Sequence, residues 1–291
     1  DQLDEPDFNY SIVDANEVIT MRDDSRSALK QKRDSSMFKG LDLHSQGYAD
    51  AFVSAGNTGA VLTTATVLMG RINGVSRPTI GSLYPTQNDT PSLMLDVGAN
   101  VEIKPRYLYE FAVMGSIFVN QAYGMENPRV GLLNIGEEES KGSAAVQEAY
   151  AMLKESQLNF IGNIEGRDVL NGIADVVVCD GFTGNILLKF AESFPGFLKG
   201  RMKDFARKNL FNKAITIAMI PFLKKVLKSL DYEEYGGVPL LGVNGAVIIG
   251  HGKSSPKAIK TMIYRAVELV KKDVNRKIEN SLNPPVYQKK D

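Results

Sequence analysis

Two short stretches of the chain share a pattern that is typical of anion-binding corners. SAGNTGA (54–60) and CDGFTGN (179–185) each follow an apolar run, contain Gly-x-Thr-Gly and precede a helix-like pattern. The first amide groups of a helix lack internal partners, and glycines let a phosphate approach them closely. We therefore predict that two helix N-termini converge on one anionic substrate; the alternative is a tight turn capped by threonine. The predicted contact residues are Ser54, Gly56, Asn57, Thr58, Gly59, Asp180, Gly181, Thr183 and Gly184.

Two further segments carry polar groups that suit an anion. GHGKSSPK (250–257) is a third glycine corner, in which His251 either hydrogen-bonds within the turn or contacts the substrate. NIGEEESKGS (134–143) places Lys141 beside a glycine after a strand-like run, where a lysine neutralises an oxyanion as a compact charge. The competing interpretation of this acidic stretch is a solvated surface loop.

The usual sets of catalytic and ligand-binding residues are absent from the sequence. Neither corner matches a dinucleotide fingerprint or a P-loop, so nucleotide binding is disfavoured. With two histidines and no Gly-x-Ser-x-Gly elbow, a Ser-His-Asp hydrolase is also disfavoured. Cys179 ends the run VVVC and is interpreted as a buried structural residue. No metal-ligand spacing is found, and we predict neither a metal nor a cofactor.

Composition narrows the class of protein. The 291 residues include 34 basic and 34 acidic side chains, so the net charge indicates no nucleic-acid partner. A single cysteine fits a reducing cytosol. The longest strongly apolar stretch, AITIAMIPFL (214–223), is about half of the ~20 residues that a membrane-spanning helix needs. The sequence therefore predicts a cytoplasmic protein that does not cross the membrane.

Apolar strand-like runs alternate with helical patterns along most of the chain, which predicts one α/β domain (1–291) with a mostly parallel sheet covered on both faces. Ligands of such sheets bind beyond the carboxyl ends of the strands, where the glycine corners lie.

Region 186–232 breaks the alternation and is predicted to be a projecting amphipathic helical hairpin. Basic residues flank its apolar tip, which suits an anionic membrane surface or an acidic partner. The predicted contact residues are Lys213, Ile217, Ile220, Phe222 and Lys224.

Several motifs together resemble one known family. They are DSSM (34–37), ADAFVSAGNTGA, LMLDVGAN (93–100), NPRVGLLNIGEEESKG (127–142), NFIGNIEGRD, ADVVVCDGFTGN, YGGVPLLGVNG and HGKSS. They resemble the phosphate acyltransferase of bacterial phospholipid synthesis. The resemblance implies a three-layer αβα fold similar to phosphotransacetylases and to isocitrate and isopropylmalate dehydrogenases. It also implies a homodimer, and a cytosolic enzyme that docks on the membrane. The family's first strand–helix unit, with its Asp-Ala-Met-Gly-Gly-Asp corner, is not found in this chain.

Members of that family use inorganic phosphate to cleave a fatty-acyl thioester of acyl carrier protein, which gives acyl phosphate. Because phosphate is the nucleophile, the enzyme must supply orientation, charge neutralisation and oxyanion donors. The resemblance favours Lys141 and Asn185 as catalytic residues. We expect Lys141 to neutralise phosphate or the departing thiolate, and Asn185 to donate to the oxyanion. The alternatives are a phosphotransacetylase-like enzyme acting on a short acyl-coenzyme A, and a non-catalytic lipid or carrier-protein scaffold; a dehydrogenase is less favoured.

Overall fold

The computed structural model describes residues 9–88, 90–226 and 237–283. The strands are β1 (Ala51–Ser54), β2 (Thr79–Tyr84), β3 (Ser92–Leu95), β4 (Arg129–Leu133), β5 (Asn159–Ile164), β6 (Val176–Val178), β7 (Val238–Leu241) and β8 (Ala246–Ile249). The α-helices are α1 (Ser25–Gln31), α2 (Ser36–Ser45), α3 (Thr58–Met69), α4 (Pro105–Tyr123), α5 (Ala144–Lys154), α6 (Gly181–Arg207), α7 (Leu210–Val226), α8 (Pro256–Lys271) and α9 (Val274–Leu282).

The strands form one sheet in the order β1-β8-β7-β2-β3-β6-β4-β5. At one end, β1 pairs in parallel with β8. At the other end, β3, β6, β4 and β5 form a parallel group. Three antiparallel pairings join the two groups: β8 with β7, β7 with β2, and β2 with β3. The sheet is therefore mixed but mostly parallel, and the fold class predicted from the sequence is confirmed.

Helices cover both faces of the sheet, and each face has its own core. Val177 and Cys179, in and just after β6, belong to a cluster with residues of α2 and α3. Val176 and Val178 belong to a second cluster with residues of α4, α5 and α9. Because successive strand residues point to opposite faces, these two clusters lie on opposite sides of the sheet. The result is a three-layer αβα architecture.

The long helices α6 and α7 pack against each other. Leu187, Leu188 and Ala191 attach the first part of α6 to the core. The large apolar side chains further along both helices are mostly exposed. The predicted hairpin began at residue 186, whereas α6 begins at Gly181; its last residues, 227–232, lie outside the described residues. In the part of the chain that is described, no helix is both long and apolar enough to span a membrane.

Candidate active site

The corner between β6 and α6 is closed by hydrogen bonds from within the chain. The carboxylate of Asp180 accepts from the backbone N–H of Thr183 (2.8 Å) and from its hydroxyl (2.7 Å). The N–H of Gly184 donates to the carbonyl of Asp180, and the N–H of Gly181 donates to the carbonyl of Asn100. Asp180 is therefore the N-cap of α6, in place of the threonine cap considered from the sequence. These three amides already have partners, so they are not open donors for an anion.

The glycines of this corner allow a close approach between α6 and the loop after β3. A β-carbon added at Gly184 would lie 1.9 Å from the backbone oxygen of Asp96. One added at Gly181 would lie 2.7 Å from the backbone oxygen of Asn100. Both distances are far below ordinary contact, so any larger residue would force α6 away from the loop. This close approach explains both glycines of GFTG without a bound phosphate.

Asp96 organises the loop after β3, although the sequence analysis gave it no role of its own. It is fully buried. One carboxylate oxygen accepts from the N–H groups of Gly98 (3.0 Å) and Ala99 (2.9 Å). The other accepts from the N–H and the side-chain amide of Asn100, both at 2.7 Å. Burial raises the pKa of Asp96, while these hydrogen bonds act in the opposite direction. The signal in the sequence was an acidic residue directly after an unbroken apolar strand.

The loop after β4 holds Lys141. The side-chain amide of Asn134 donates to the carbonyl of Lys141 (3.0 Å), and the N–H of Lys141 donates to the carbonyl of Glu138 (3.0 Å). The side-chain amide of Asn163 also donates to that carbonyl of Glu138. The Lys141 side chain is 46% exposed, and its ammonium lies 3.9 Å from the nearer carboxylate oxygen of Glu138. The backbone is thus fixed while the charged end stays accessible.

The neighbouring glutamates of the acidic stretch have basic partners. The carboxylate of Glu139 pairs with Lys154 at 2.6 Å and accepts from the hydroxyl of Tyr150 at 3.1 Å. The hydrogen bond from Lys154 lowers the pKa of Glu139. Glu137 lies 3.6 Å from the guanidinium of Arg167. For these glutamates the surface-loop interpretation applies, and their charge is offset locally rather than directed at Lys141.

Asn185 lies in the second turn of α6, against the loop after β3. A β-carbon built on Gly98 would lie 3.6 Å from the side-chain amide carbon of Asn185, in ordinary contact. Asn185 is exposed, and within the described ranges its amide makes no hydrogen bond. Lys141 follows β4 and Asn185 follows β6, two neighbouring parallel strands. Both therefore lie at one edge of the sheet, and Asn185 has amide hydrogens available for a ligand.

Exposed apolar side chains surround this edge. Val101 follows the loop after β3 and is 63% exposed, and Ile135 in the loop after β4 is 82% exposed. Phe182 (59%) and Ile186 (55%) lie on the first turns of α6. These four exposed apolar residues lie on three segments that follow the neighbouring strands β3, β6 and β4. The edge thus combines an accessible cation, an exposed amide and an apolar rim.

The other glycine corners form a separate group where β1 and β8 end. The N–H of Gly250 donates to the carbonyl of Ser54 at 2.7 Å, which joins the corner holding Gly56, Thr58 and Gly59 to the one holding His251. Asn57 is the N-cap of α3: its side-chain oxygen accepts from the N–H of Ala60 (3.0 Å). Its amide nitrogen donates to the carbonyls of Thr20 and Asp23. Asn57 is therefore engaged within the chain.

The two corners of the sequence prediction follow strands of opposite direction, and their convergence stays a prediction. Three antiparallel pairings lie between β1 and β6, so the two strands run in opposite directions. Gly56 follows β1 and Gly181 follows β6, which lie five positions apart in the strand order. The hydrogen bonds of the corners lead to different partners. The expected convergence assumed one strand direction, which local sequence patterns do not determine.

The predicted contact residues of the hairpin lie on α7. Ile217 is 59% exposed, Ile220 40% and Phe222 66%. Lys213 is exposed and shares a face with Ile217 and Ile220 through its spacing of four and seven residues. Lys224 occupies α7, but its side chain is outside the described part.

Cys179 is buried, and burial raises the pKa of its thiol well above the usual value. The prediction of a buried cysteine is confirmed.

Among residues 9–88, 90–226 and 237–283, no group of three or more His, Cys, Asp or Glu side chains is arranged to hold a metal ion.

Comparison with known proteins identifies relatives over nearly the whole chain. Residues 4–277 match the model of a family described as "Fatty acid synthesis protein". The phosphate acyltransferase of Dictyoglomus turgidum is 46% identical over 283 residues, which cover 95% of this chain and 84% of the relative. That of Heliobacterium modesticaldum is 50% identical over 252 residues, covering 87% of this chain and 75% of the relative.

Solved structures with the same fold are phosphotransacetylases. One from Streptococcus pyogenes matches with a TM-score of 0.57 at 19% identity and covers 84% of this chain and 70% of that chain. The EutD phosphotransacetylase from Staphylococcus aureus matches with a TM-score of 0.51 at 20% identity, covering 84% and 68%. At this level of identity the likeness establishes the fold alone.

Proposed function

The chain belongs to the phosphate acyltransferase family and is an acyltransferase that uses phosphate as acceptor; from this premise we propose that its acyl donor is a fatty-acyl thioester of acyl carrier protein. The product, acyl phosphate, would then supply phospholipid synthesis. The observation that carries this choice of donor is the set of exposed apolar side chains on the segments that hold Lys141 and Asn185. They are Val101, Ile135, Phe182 and Ile186. A long acyl chain has apolar surface to bury there, whereas a short acyl group has little.

In the proposed reaction, an oxygen of phosphate attacks the thioester carbonyl carbon. A carbon–oxygen bond forms, the carbon–sulfur bond breaks, and the carrier leaves as a thiolate that takes up a proton. Lys141 neutralises the phosphate or the departing thiolate, and its accessible ammonium supports this role. The amide of Asn185 donates to the carbonyl oxygen as negative charge develops on it. Neither role requires a nucleophile on the enzyme, since phosphate is the nucleophile.

The other residues at this edge position these two groups. Asp180 and Thr183 fix the start of α6, and Gly181 and Gly184 let it lie against the loop organised by Asp96. We therefore assign them to support of the site rather than to direct phosphate contact. Contact of the substrate with Ser54, Gly56, Asn57, Thr58, Gly59 and His251 stays a prediction, and the proposed roles of Lys141 and Asn185 do not depend on it.

The test is phosphate-dependent release of thiol from purified protein, measured with a thiol reagent. Palmitoyl acyl carrier protein and acetyl-coenzyme A are compared as donors, with and without inorganic phosphate. We expect release only with phosphate and far faster from the palmitoyl donor. Faster release from acetyl-coenzyme A would favour a phosphotransacetylase-like enzyme. No release from either donor would favour a non-catalytic scaffold and refute the proposal.

We also propose that the enzyme is cytoplasmic and that α7 docks it on anionic membranes, and that its basic residues engage the acidic carrier protein. Exposed Ile217 and Ile220 beside Lys213 support this role, because apolar burial and attraction to anionic lipid add together. Replacing both isoleucines by glutamate should release the protein from anionic vesicles in a co-sedimentation assay. Unchanged binding of a folded double variant would contradict the proposal.

We also propose that the protein is a homodimer. Two observations support this proposal: the chain exposes many apolar side chains, and it belongs to the phosphate acyltransferase family. Measurement of the molar mass in solution by light scattering is the test. A mass equal to that of one chain across the working concentration range would refute it.

A further inference from the structure

We propose that Asn163 is a positioning residue, which holds the ammonium of Lys141 in place through the loop after β4. Asn163 lies in β5, the strand that pairs in parallel with β4. The inference rests on the proposed function, because that function gives Lys141 its part in acyl transfer. It adds a residue that acts on the reaction only through Lys141.

Asn163 and Lys141 donate to the same backbone carbonyl. The side-chain amide of Asn163 donates to the carbonyl oxygen of Glu138 at 2.9 Å, and the backbone N–H of Lys141 donates to it at 3.0 Å. A carbonyl oxygen has two lone pairs, so it accepts both hydrogen bonds together. A single shared acceptor therefore connects the side chain of Asn163 to the backbone of Lys141.

The strand that carries Asn163 is a firmer support than the loop itself. Asn163 lies opposite Leu132 of β4, and its neighbour Ile164 accepts from the N–H of Asn134 at 2.8 Å. Asn163 is only 7% exposed, whereas residues 137–141 of the loop are all exposed. A buried side chain on a paired strand keeps its position more precisely than a group on a surface loop. Asn163 thus transfers the position of the sheet to the loop.

The side chain of Lys141 follows the backbone of this loop. A β-carbon built on Gly136 would lie 3.1 Å from Cγ of Lys141 and 3.4 Å from its Cε, so the lysine stem passes close to this glycine. A movement of the loop therefore carries the ammonium with it. A misplacement of about 1 Å in a catalytic group can cost up to about 10²-fold in rate.

Stability alone does not explain an asparagine at position 163. The side-chain oxygen of Asn163 is buried, and in the part of the chain that is described it has no hydrogen-bond partner. A buried unpaired acceptor costs free energy, which an apolar side chain at this position would avoid. The donated hydrogen bond to Glu138 is the one contact that only a polar side chain can make here. It is therefore the reason we assign to this residue.

The experiment is a double-mutant cycle between Asn163→Ala and Lys141→Ala, followed as phosphate-dependent thiol release from palmitoyl acyl carrier protein. Asn163→Ala alone should lower kcat/KM by about tenfold, because Lys141 is held less firmly. In the Lys141→Ala background the same substitution should lower kcat/KM by less than about twofold, since the ammonium that it positions is gone. In the Asn185→Ala background the loss of about tenfold should return, because Asn185 lies on another segment.

Asn159→Ala provides the matched control. Asn159 lies at the start of the same strand, and its side-chain amide also donates to a backbone carbonyl, that of Asn127, at 3.0 Å. This hydrogen bond is at the other end of β5, so kcat/KM should match wild type. Asn163→Asp keeps the size of the side chain, but an ionised carboxylate has no hydrogen to donate. Its kcat/KM should therefore fall at least as far as that of Asn163→Ala.

Hydrogen exchange measures the connection without any turnover. In Asn163→Ala the backbone amide of Lys141 should exchange about tenfold faster than in wild type, because its acceptor is less firmly held. The urea midpoint should stay close to wild type, since the substitution also removes the unpaired acceptor. This pair of measurements separates a local loosening of the loop from a general loss of stability.

Three outcomes overturn the inference while the proposed function stands. An equal fall in kcat/KM with and without Lys141 would give Asn163 a merely structural role. An unchanged kcat/KM in Asn163→Ala would give it no role in the reaction, and unchanged exchange at Lys141 would show that the carbonyl of Glu138 is held without it. By contrast, wild-type kcat/KM in Lys141→Ala, or no thiol release from wild-type protein, would refute the proposed function itself.

Discussion

The two Gly-x-Thr-Gly corners have nearly the same letters but start their helices at different points. When the motifs are aligned, Asn57 corresponds to Phe182, and yet Asn57 is the N-cap of α3 while Asp180 is the N-cap of α6. Thr58 is therefore the first residue of its helix, whereas Thr183 is the third. The same letters thus take different helical positions, and the capping residue decides which.

The two corners also differ in what their glycines meet. At Gly184 an added β-carbon would strike the backbone of the loop after β3, which cannot move aside easily. At Gly56 it would meet the terminal methyl group of Met37, which is the end of a flexible side chain. The asparagines differ as well. Asn57 makes hydrogen bonds within the chain, whereas Asn185 has no hydrogen-bond partner among the described residues. One corner is thus a structural joint, and the other presents a polar group to solvent.

The largest expected effect separates the two asparagines. Asn185→Ala should lower kcat by about 10²–10³-fold, because one oxyanion donor is lost. The circular dichroism spectrum and the melting temperature should stay close to wild type, since the side chain is exposed and without a partner in the described structure. Turnover near the wild-type value would remove Asn185 from the mechanism.

The second comparison concerns the glycines. Gly184→Ala should lower the free energy of unfolding by about 1–3 kcal/mol in urea titrations, because α6 must move away from Asp96. Gly56→Ala should cost less, since Met37 adjusts. Gly196→Ala, in the interior of α6 with no atom within 4 Å of the added carbon, should raise stability by about 0.5–1 kcal/mol. Equal losses at Gly184 and Gly196 would show that close approach is not the reason for the corner glycine.

Asn57→Ala tests the structural joint. Loss of the cap on α3 should lower the free energy of unfolding by about 0.5–2 kcal/mol, while kcat and the KM for phosphate remain close to wild type. Steady-state kinetics with varied phosphate and a urea titration are the measurements. A raised KM for phosphate with unchanged stability would restore Asn57 to the substrate site.

The smallest effect is expected at Cys179, which precedes the second corner. Its thiol is buried and its raised pKa leaves less thiolate at pH 8 than a free cysteine has. Alkylation by iodoacetamide should therefore be slow in the native protein and fast in denaturant, as followed by mass spectrometry. Rapid alkylation of the native chain would indicate that the corner opens readily.

Much of the fold was predictable because buried parallel strands produce unbroken apolar runs such as ADVVV. The order and direction of the strands were not, because β7 and β2 reverse the sheet through pairings between distant segments. Because of this reversal, the strand pattern alone does not establish that the two corners converge, and their convergence stays a prediction. Lys141 and Asn185 were assigned through motif resemblance, and their roles remain predictions. Asp96 was missed because its four donors come from a loop whose conformation only the folded chain defines.

The pairing of β1 with β8 has a consequence for how the chain folds. Ala51 lies opposite Ala246, so most of the chain must be made before β1 finds its neighbour. Closing so large a loop costs entropy that is recovered only when both strands are in place, which slows folding. During synthesis at the ribosome, the side of β1 that pairs with β8 should therefore remain unpaired until β8 emerges. Chaperones that shield such edges are expected to improve the yield of the native enzyme.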